Sequence, residues 1–206
     1  MDHQQARDEI VALAASLFQR GFSVGSAGNI TVRVDGGFLA TPTNSSLGRL
    51  DVARLSLLDE DWNHLDGDKP TKEVFLHQAV YDARPSATAI VHLHSTYVTA
   101  LSCLPSGEGP LIPPYTPYFV MRAGEDVPVV PYFRPGSADM VPQIRDAARR
   151  SPAFILAHHG SIVAASSLVS AVNTAEEMEE SARIAYLLHG RGASTLTAEQ
   201  MAALRG

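Results

Sequence analysis

The run Ala89-Ile90-Val91-His92-Leu93-His94-Ser95 constrains this chain more than any other stretch. Its apolar residues are few and continuous, as in a strand buried on both faces. Successive side chains of a strand leave on opposite faces, so His92 and His94 share one face, with Cβ atoms roughly 6.5–7 Å apart. Two imidazoles so placed can close on one divalent ion, and zinc takes such nitrogens at about 2.0–2.1 Å. A second apolar run, Phe154-Ile155-Leu156-Ala157, ends in His158-His159-Gly160. His159 is the better ligand of that doublet, because Gly160 follows it and sites open where a strand ends before a turn. Strand alternation sends His158 to the other face. Three histidines around zinc leave a coordination position for substrate, the pattern of catalytic rather than structural sites. His3, His64 and His189 lie in polar or terminal settings and are expected at the surface.

With 206 residues and 45% hydrophobic content, the chain can bury a sizeable core and is expected to form one domain over residues 1–206. A formal charge of −6, with Lys and Arg scattered apart from Arg149-Arg150, offers no basic field to nucleic acid. Cys103 is the only cysteine, which rules out an intrachain disulfide and fits a reducing cytosol. The polar start, Met1-Asp2-His3-Gln4-Gln5, carries no signal-like apolar stretch. No segment approaches the ~20 apolar residues of a membrane span. A soluble cytoplasmic protein is expected.

Helical and strand patterns are interspersed along the chain. Ala6, Ile10, Leu13, Ala14, Leu17 and Phe18 recur at helical spacing over residues 2–20, and Gly21 supplies a left-handed stop. Residues 30–34 alternate as a strand, Asp35-Gly36-Gly37 signals a hairpin, and residues 38–41 return as its partner. Segments 55–58, 119–121, 127–130, 154–157 and 162–165 are short strand candidates. Segments 73–83 (with Thr71 as N-cap), 97–104, 137–150 and 167–188 read as helices. Thr197-Ala198-Glu199-Gln200 is a capping box opening a last short one. The Pro-rich loop 105–117 is expected to shape a substrate entrance. The pattern predicts an α/β fold with helices on both faces of a mixed sheet.

Glu73 is the carboxylate best placed for chemistry. It opens a helix after Pro70-Thr71-Lys72, with His77 four residues on along the same face. An acid there favours the positive end of a helix dipole in any protein. Beside a metal it would instead act as general acid or base, with desolvation and the cation pulling its pKa in opposite directions. Gly28-Asn29, Thr43-Asn44 and Thr71-Lys72 are short polar elements at predicted strand or helix ends. Their N–H, hydroxyl, amide and ammonium donors suit an anion such as phosphate, although ordinary turn chemistry explains any one of them alone.

The run Ala27-Gly28-Asn29-Ile30-Thr31, the loop Thr41-Pro42-Thr43, Glu73 ahead of a helix, His92-Leu93-His94 and His158-His159-Gly160 occur in an order and at intervals that resemble the class II aldolase/adducin family. The resemblance spans about residues 6–188. Within the family, the segments 41–50, 70–73, 91–96 and 116–121 look most like its 3-oxo-tetronate 4-phosphate decarboxylases. The resemblance implies a three-layer α/β/α fold around a mixed, largely antiparallel sheet, assembled as a homotetramer with sites between subunits. It implies a zinc ion (or manganese, cobalt or nickel) on His92, His94 and His159, with Glu73 as fourth ligand or acid/base. Gly28, Asn29, Thr43, Asn44, Thr71 and Lys72 match positions that hold a substrate phosphate. Tyr118 matches a tyrosine that reaches into the neighbouring subunit's site. The implied reaction is decarboxylation of a small phosphorylated sugar acid through a metal-stabilised enediolate; the alternative is aldol cleavage of a ketose phosphate such as L-fuculose 1-phosphate. Two features depart from other members. The aldolases usually carry Ser-Ser where this chain has Thr71-Lys72, and the epimerases carry Asp at the position of Glu73. Adducin-like scaffolds lack the metal histidines that this chain retains.

Overall fold

The first helix, α1 (His3–Gln19), forms because Ala6, Ile10, Ala14 and Leu17 fall on one face and are wholly buried. Asp2 caps it by accepting from the Gln5 N–H. This is seen in a computed structural model that describes residues 2–105, 109–134 and 136–205. Residues 106–108 of the Pro-rich loop lie outside the described residues.

Eight strands make one sheet in the order β4-β3-β2-β1-β5-β8-β7-β6, where β1 is Asn29–Val34, β2 Gly37–Ala40, β3 Ser56–Asp59, β4 His64–Asp66, β5 Ala89–Leu93, β6 Val129–Val130, β7 Ala153–Leu156 and β8 Gly160–Ala165. Every neighbouring pair is antiparallel except β6 and β7, which makes the sheet mixed. Strand alternation splits the core into two. Ala89, Val91 and Leu93 of β5 join Val163 and Ile155 in one cluster, which is covered by α1, α3 (Thr96–Ser102), α4 (Pro117–Ala123) and α6 (Leu168–Leu188). Ile90 joins Phe154, Ile162 and Ala164 on the opposite face, under α2 (Val74–Ala83) and α5 (Val141–Arg150). The result is an α/β/α sandwich with β5 near its centre, buried along its whole length. Among the described residues no helix is long and apolar enough to cross a membrane.

Several segments differ from their sequence-based expectation. Residues 119–121 are not a strand but part of α4. The Thr116 side chain accepts from Phe119 N at 3.3 Å and Pro117 occupies the first turn, so a capped helix start outweighs the β-propensity of Phe119 and Val120. The strand expected over 127–130 shortens to β6. The helix expected from 137 begins as a 3₁₀ turn, Ala138–Met140, before α5. Helix α2 starts at Val74, so Glu73 is its N-cap residue and Thr71 stands two residues before the cap, its Oγ1 accepting from Glu73 N. The capping box at Thr197 forms as read and opens α7 (Ala198–Ala202).

Helix α3 starts directly behind His94, and its cap comes from a distant element. Ser95 caps nothing with its side chain; Glu179 of α6 instead accepts from Tyr97 N at 2.8 Å and Val98 N at 2.9 Å. Removing that carboxylate leaves two partly buried donors unpaired, at a cost of about 1–3 kcal/mol. The Glu179→Ala variant is therefore expected to melt several degrees below the parent, with Glu179→Gln in between. An unchanged melting temperature would mean that water replaces the cap.

Candidate metal centre

His92 sits in β5 on the face opposite Val91, and its ring is fully buried. Its Nδ1 donates to the Ser161 carbonyl on the neighbouring strand at 2.7 Å. That bond settles the tautomer and leaves the Nε2 lone pair aimed away from the sheet. His94 lies just past the end of β5, with its Nε2 2.9 Å from that of His92. Strands β7 and β8 form a tight hairpin in which Leu156 faces Gly160, with Ala157, His158 and His159 between them. His158 adopts a left-handed conformation, φ 58°, which closes the turn and swings His159 inward. His158 itself is exposed, its ring edge-on to Tyr132. The two histidines do diverge as expected, but through the turn rather than through strand alternation.

Gly160 is the residue that lets this hairpin lie against β5. A Cβ there would come within 2.1 Å of the Leu93 carbonyl oxygen, a backbone atom that cannot give way. Gly160→Ala is expected to cost at least about 1–3 kcal/mol by overpacking and to pull His159 out of place. Thermal melting and divalent-metal content of the purified variant check both, and parental values in both would remove the steric argument.

The three imidazole rings converge, with centroids 4.7 Å (His92–His94), 4.8 Å (His92–His159) and 4.4 Å (His94–His159) apart. Glu73 completes the group, its Oε1 3.4 Å from His159 Nε2 and its Oε2 3.5 Å from His92 Nε2. All four ligand atoms lie within 4.8 Å of one another. Burial lowers the pKa of His92 and of His94 to about 3 and lowers that of His159, with the neighbouring rings adding to the effect on His92 and His94. Near neutral pH the rings are uncharged and keep lone pairs for a cation. Three neutral nitrogens, one of them fixed by a backbone carbonyl, plus one carboxylate form a donor set that fits a divalent ion.

Over this cluster opens a cavity of about 540 Å³ whose lining includes Gly28, Asn29, Thr43, Asn44, Thr71, Lys72, Glu73, His94 and His159. The polar elements read separately in the sequence thus meet. Two loops zip together to bring this about: Thr43 N donates to Lys69 O, Thr71 N to Thr41 O, and Pro42 faces Pro70. Gly28 has φ +79° and a Cβ would sit 2.9 Å from the His92 carbonyl, so only glycine lets the chain enter β1 so close to β5. Lys72 is exposed at the rim. Ser26 and Gly136 also line the cavity and carried no signal in the sequence.

Glu73 does not cap its own helix: its side chain makes no bond to the α2 N–H groups and instead accepts from Asn29 Nδ2 at 2.7 Å. Asn29 is only 5% exposed, and both ends of its amide are engaged, the other by His77. Tyr118 is 65% exposed on α4 and is not part of the cavity lining of its own chain.

Known proteins resemble this chain in sequence and fold. The family model for the class II aldolase and adducin N-terminal domain matches residues 8–186. A 3-oxo-tetronate 4-phosphate decarboxylase of Escherichia coli K12 is 48% identical over 204 residues, covering 98% of this chain and 96% of that protein. An L-fuculose phosphate aldolase of Haemophilus influenzae is 32% identical over 209 residues, 100% of this chain and 94% of that protein. The crystal structure of YgbL from Klebsiella pneumoniae superposes with a TM-score of 0.94 at 49% identity, covering all of both chains. With its histidine cluster, its sandwich fold and a match over most of its length, the chain belongs to the class II aldolase and adducin N-terminal domain family.

Proposed function

We propose that this protein is a divalent-metal-dependent carbon–carbon lyase that decarboxylates a 3-oxo-tetronate 4-phosphate to dihydroxyacetone phosphate and carbon dioxide. The observation that carries the reading is one carboxylate, Glu73, set inside a cluster of three neutral imidazoles at the base of a donor-lined cavity. Relatives 48% identical over nearly the whole chain, named for that decarboxylation, support the choice of substrate.

His92, His94 and His159 would hold the ion, with Glu73 beside them. Zinc is the ion proposed, although manganese, cobalt or nickel suit the same nitrogen-rich set. When bound, the ion supplies Lewis acidity, drawing electron density from the substrate oxygens. Gly28, Thr43, Asn44, Thr71 and Lys72 would receive the phosphate, with Asn29 at their edge. Anchoring that remote charged group orients the bond to be broken. The bond between the carboxylate carbon and its neighbour breaks, carbon dioxide leaves, and the electron pair spreads onto the adjacent ketone oxygen as an enediolate. Glu73, after taking up a proton from solvent, would then deliver it to the carbon that lost the carboxylate. Tyr118 of a second copy is proposed as an alternative proton donor, consistent with its exposure on α4, in a homotetramer working in the cytoplasm.

The second reading is aldol cleavage, favoured by the 32% identity to an L-fuculose phosphate aldolase. Aldol cleavage leaves the same electron pair on the same carbon, so the cluster and Glu73 serve either reaction. Lys72 speaks for the acid, because it adds positive charge where the substrate bears both phosphate and carboxylate. Incubation with 3-oxo-tetronate 4-phosphate and, separately, with L-fuculose 1-phosphate decides between them. Chelator-sensitive release of carbon dioxide from the first and no aldehyde from the second is expected. Aldehyde from the ketose phosphate, with the acid left intact, would replace this reading by the aldolase one.

A further inference from the structure

Beneath the cavity runs a line of polar side chains that the reaction as described does not use. His77 is 1% exposed, Thr31 0%, Tyr81 3% and Asn29 5%, all among apolar neighbours of the core. Thr31 Oγ1 lies 2.8 Å from His77 Nδ1, His77 Nε2 bonds Asn29 Oδ1, and Asn29 Nδ2 lies 2.7 Å from Glu73 Oε2. The Tyr81 hydroxyl donates to the Thr31 carbonyl at 3.1 Å, with the Thr88 carbonyl 3.3 Å away. Buried polar groups are tolerated when they are hydrogen-bonded, and these are.

The direction of each bond follows from its last acceptor. The Glu73 Oε2 accepts, so Asn29 turns its NH₂ to Glu73 and its carbonyl to His77. His77 then donates from Nε2, which leaves Nδ1, 2.8 Å from Thr31 Oγ1, to accept the Thr31 hydroxyl proton in preference to the Tyr81 hydroxyl oxygen 3.4 Å away. Burial, by pulling the His77 pKa down to about 3, keeps the ring in the neutral form that this pattern requires. From Thr31 through His77 to Asn29 the donors therefore point the same way, toward Glu73, while the Tyr81 hydroxyl donates to backbone.

We propose that Thr31, His77 and Asn29 form a one-way chain of hydrogen bonds that holds the Glu73 carboxylate at its working angle, with His77 and Asn29 as positioning residues. The proposal rests on the reading of Glu73 as the acid/base. Asn29 pairs with His92 in the β1–β5 register, so the chain ties the acid to the strand that carries a metal ligand. It holds Oε2 and leaves Oε1, on the His159 side, as the oxygen offered to substrate. The chain also gives the Asn29 side chain a task other than gripping phosphate.

The test compares His77→Leu, His77→Gln and Thr31→Val, with Glu73→Gln as control, in the metal-loaded enzyme turning over 3-oxo-tetronate 4-phosphate. A glutamine places its amide nitrogen near the position of the histidine Nε2 and keeps the donor to Asn29; leucine does not. His77→Leu is expected to lower kcat roughly 10- to 100-fold, as for a misaligned catalytic group, with KM and metal content unchanged, and His77→Gln to recover most of that loss. Thr31→Val is expected to lower kcat in the same sense and by less. Long-range ¹H–¹⁵N spectra of the metal-free protein near neutral pH should show His77 as the neutral Nε2–H tautomer. A parental kcat in His77→Leu, a loss confined to KM, a glutamine variant as poor as the leucine one, or an Nδ1–H tautomer would overturn the chain. If His77→Leu fails to fold, Thr31→Val and the tautomer still decide. Undiminished turnover by Glu73→Gln would instead bring down the acid/base reading itself, which separates the two failures.

Discussion

His94→Ala is expected to leave the fold intact and remove the ion. His94 is only partly buried, lies beyond the end of β5 and, among the described residues, its side chain hydrogen-bonds only to His92, so its loss opens no hole in either apolar cluster. What it removes is one of three imidazole nitrogens. Losing an outer partner of a metal ligand already costs about 10- to 100-fold in affinity or activity, and losing a ligand is expected to cost more. Purified His94→Ala should contain well under the parental amount of divalent ion, melt near the parental metal-free protein and show no measurable turnover. Adding excess zinc should recover at most a small part. Parental metal content in this variant would mean that the ion, if any, sits elsewhere.

Glu73→Gln is expected to give the second large effect. The two side chains share a shape, and a glutamine carbonyl oxygen can keep accepting from Asn29 Nδ2, so folding should be unchanged. Glutamine cannot exchange a proton, and losing a positioned general acid or base costs about 10²- to 10⁴-fold in rate. The loss should appear in kcat with KM little altered. Metal content separates the two possible roles. Full metal with lost turnover marks Glu73 as the acid/base, whereas a parallel fall in metal marks it as a ligand. Normal turnover would exclude both.

Much of this site was legible in the sequence because strand geometry is simple. A continuous apolar run that contains two histidines at i and i+2 becomes a central strand, and its position at the middle of the sheet follows from being buried on both faces. The helix faces of α1 and α6 and the hairpin between β1 and β2 were readable for the same reason: their signals lie within a few residues of one another. Residues 117–123 misled because Phe119 and Val120 favour strands, while the deciding signal was the Thr116-Pro117 cap. His77 was placed on the face of Glu73 by helical spacing, yet Glu73 stands outside the helix and the His77 ring meets Asn29 instead. No local pattern encodes the Asn29–Glu73 bond, which spans 44 residues of sequence. It exists because β1 pairs with β5 in one register and α2 packs over both. The Glu179 cap on α3, 82 residues away, was hidden for the same reason.

The histidine cluster and Glu73 together are expected to support a metal-dependent decarboxylation. The decisive measurement uses 3-oxo-tetronate 4-phosphate labelled with ¹³C in its carboxylate. Labelled carbon dioxide should appear in step with dihydroxyacetone phosphate, one for one, stop on addition of a chelator and resume with added zinc. Release of label that ignores the chelator, or no release from the metal-loaded protein, would contradict the account.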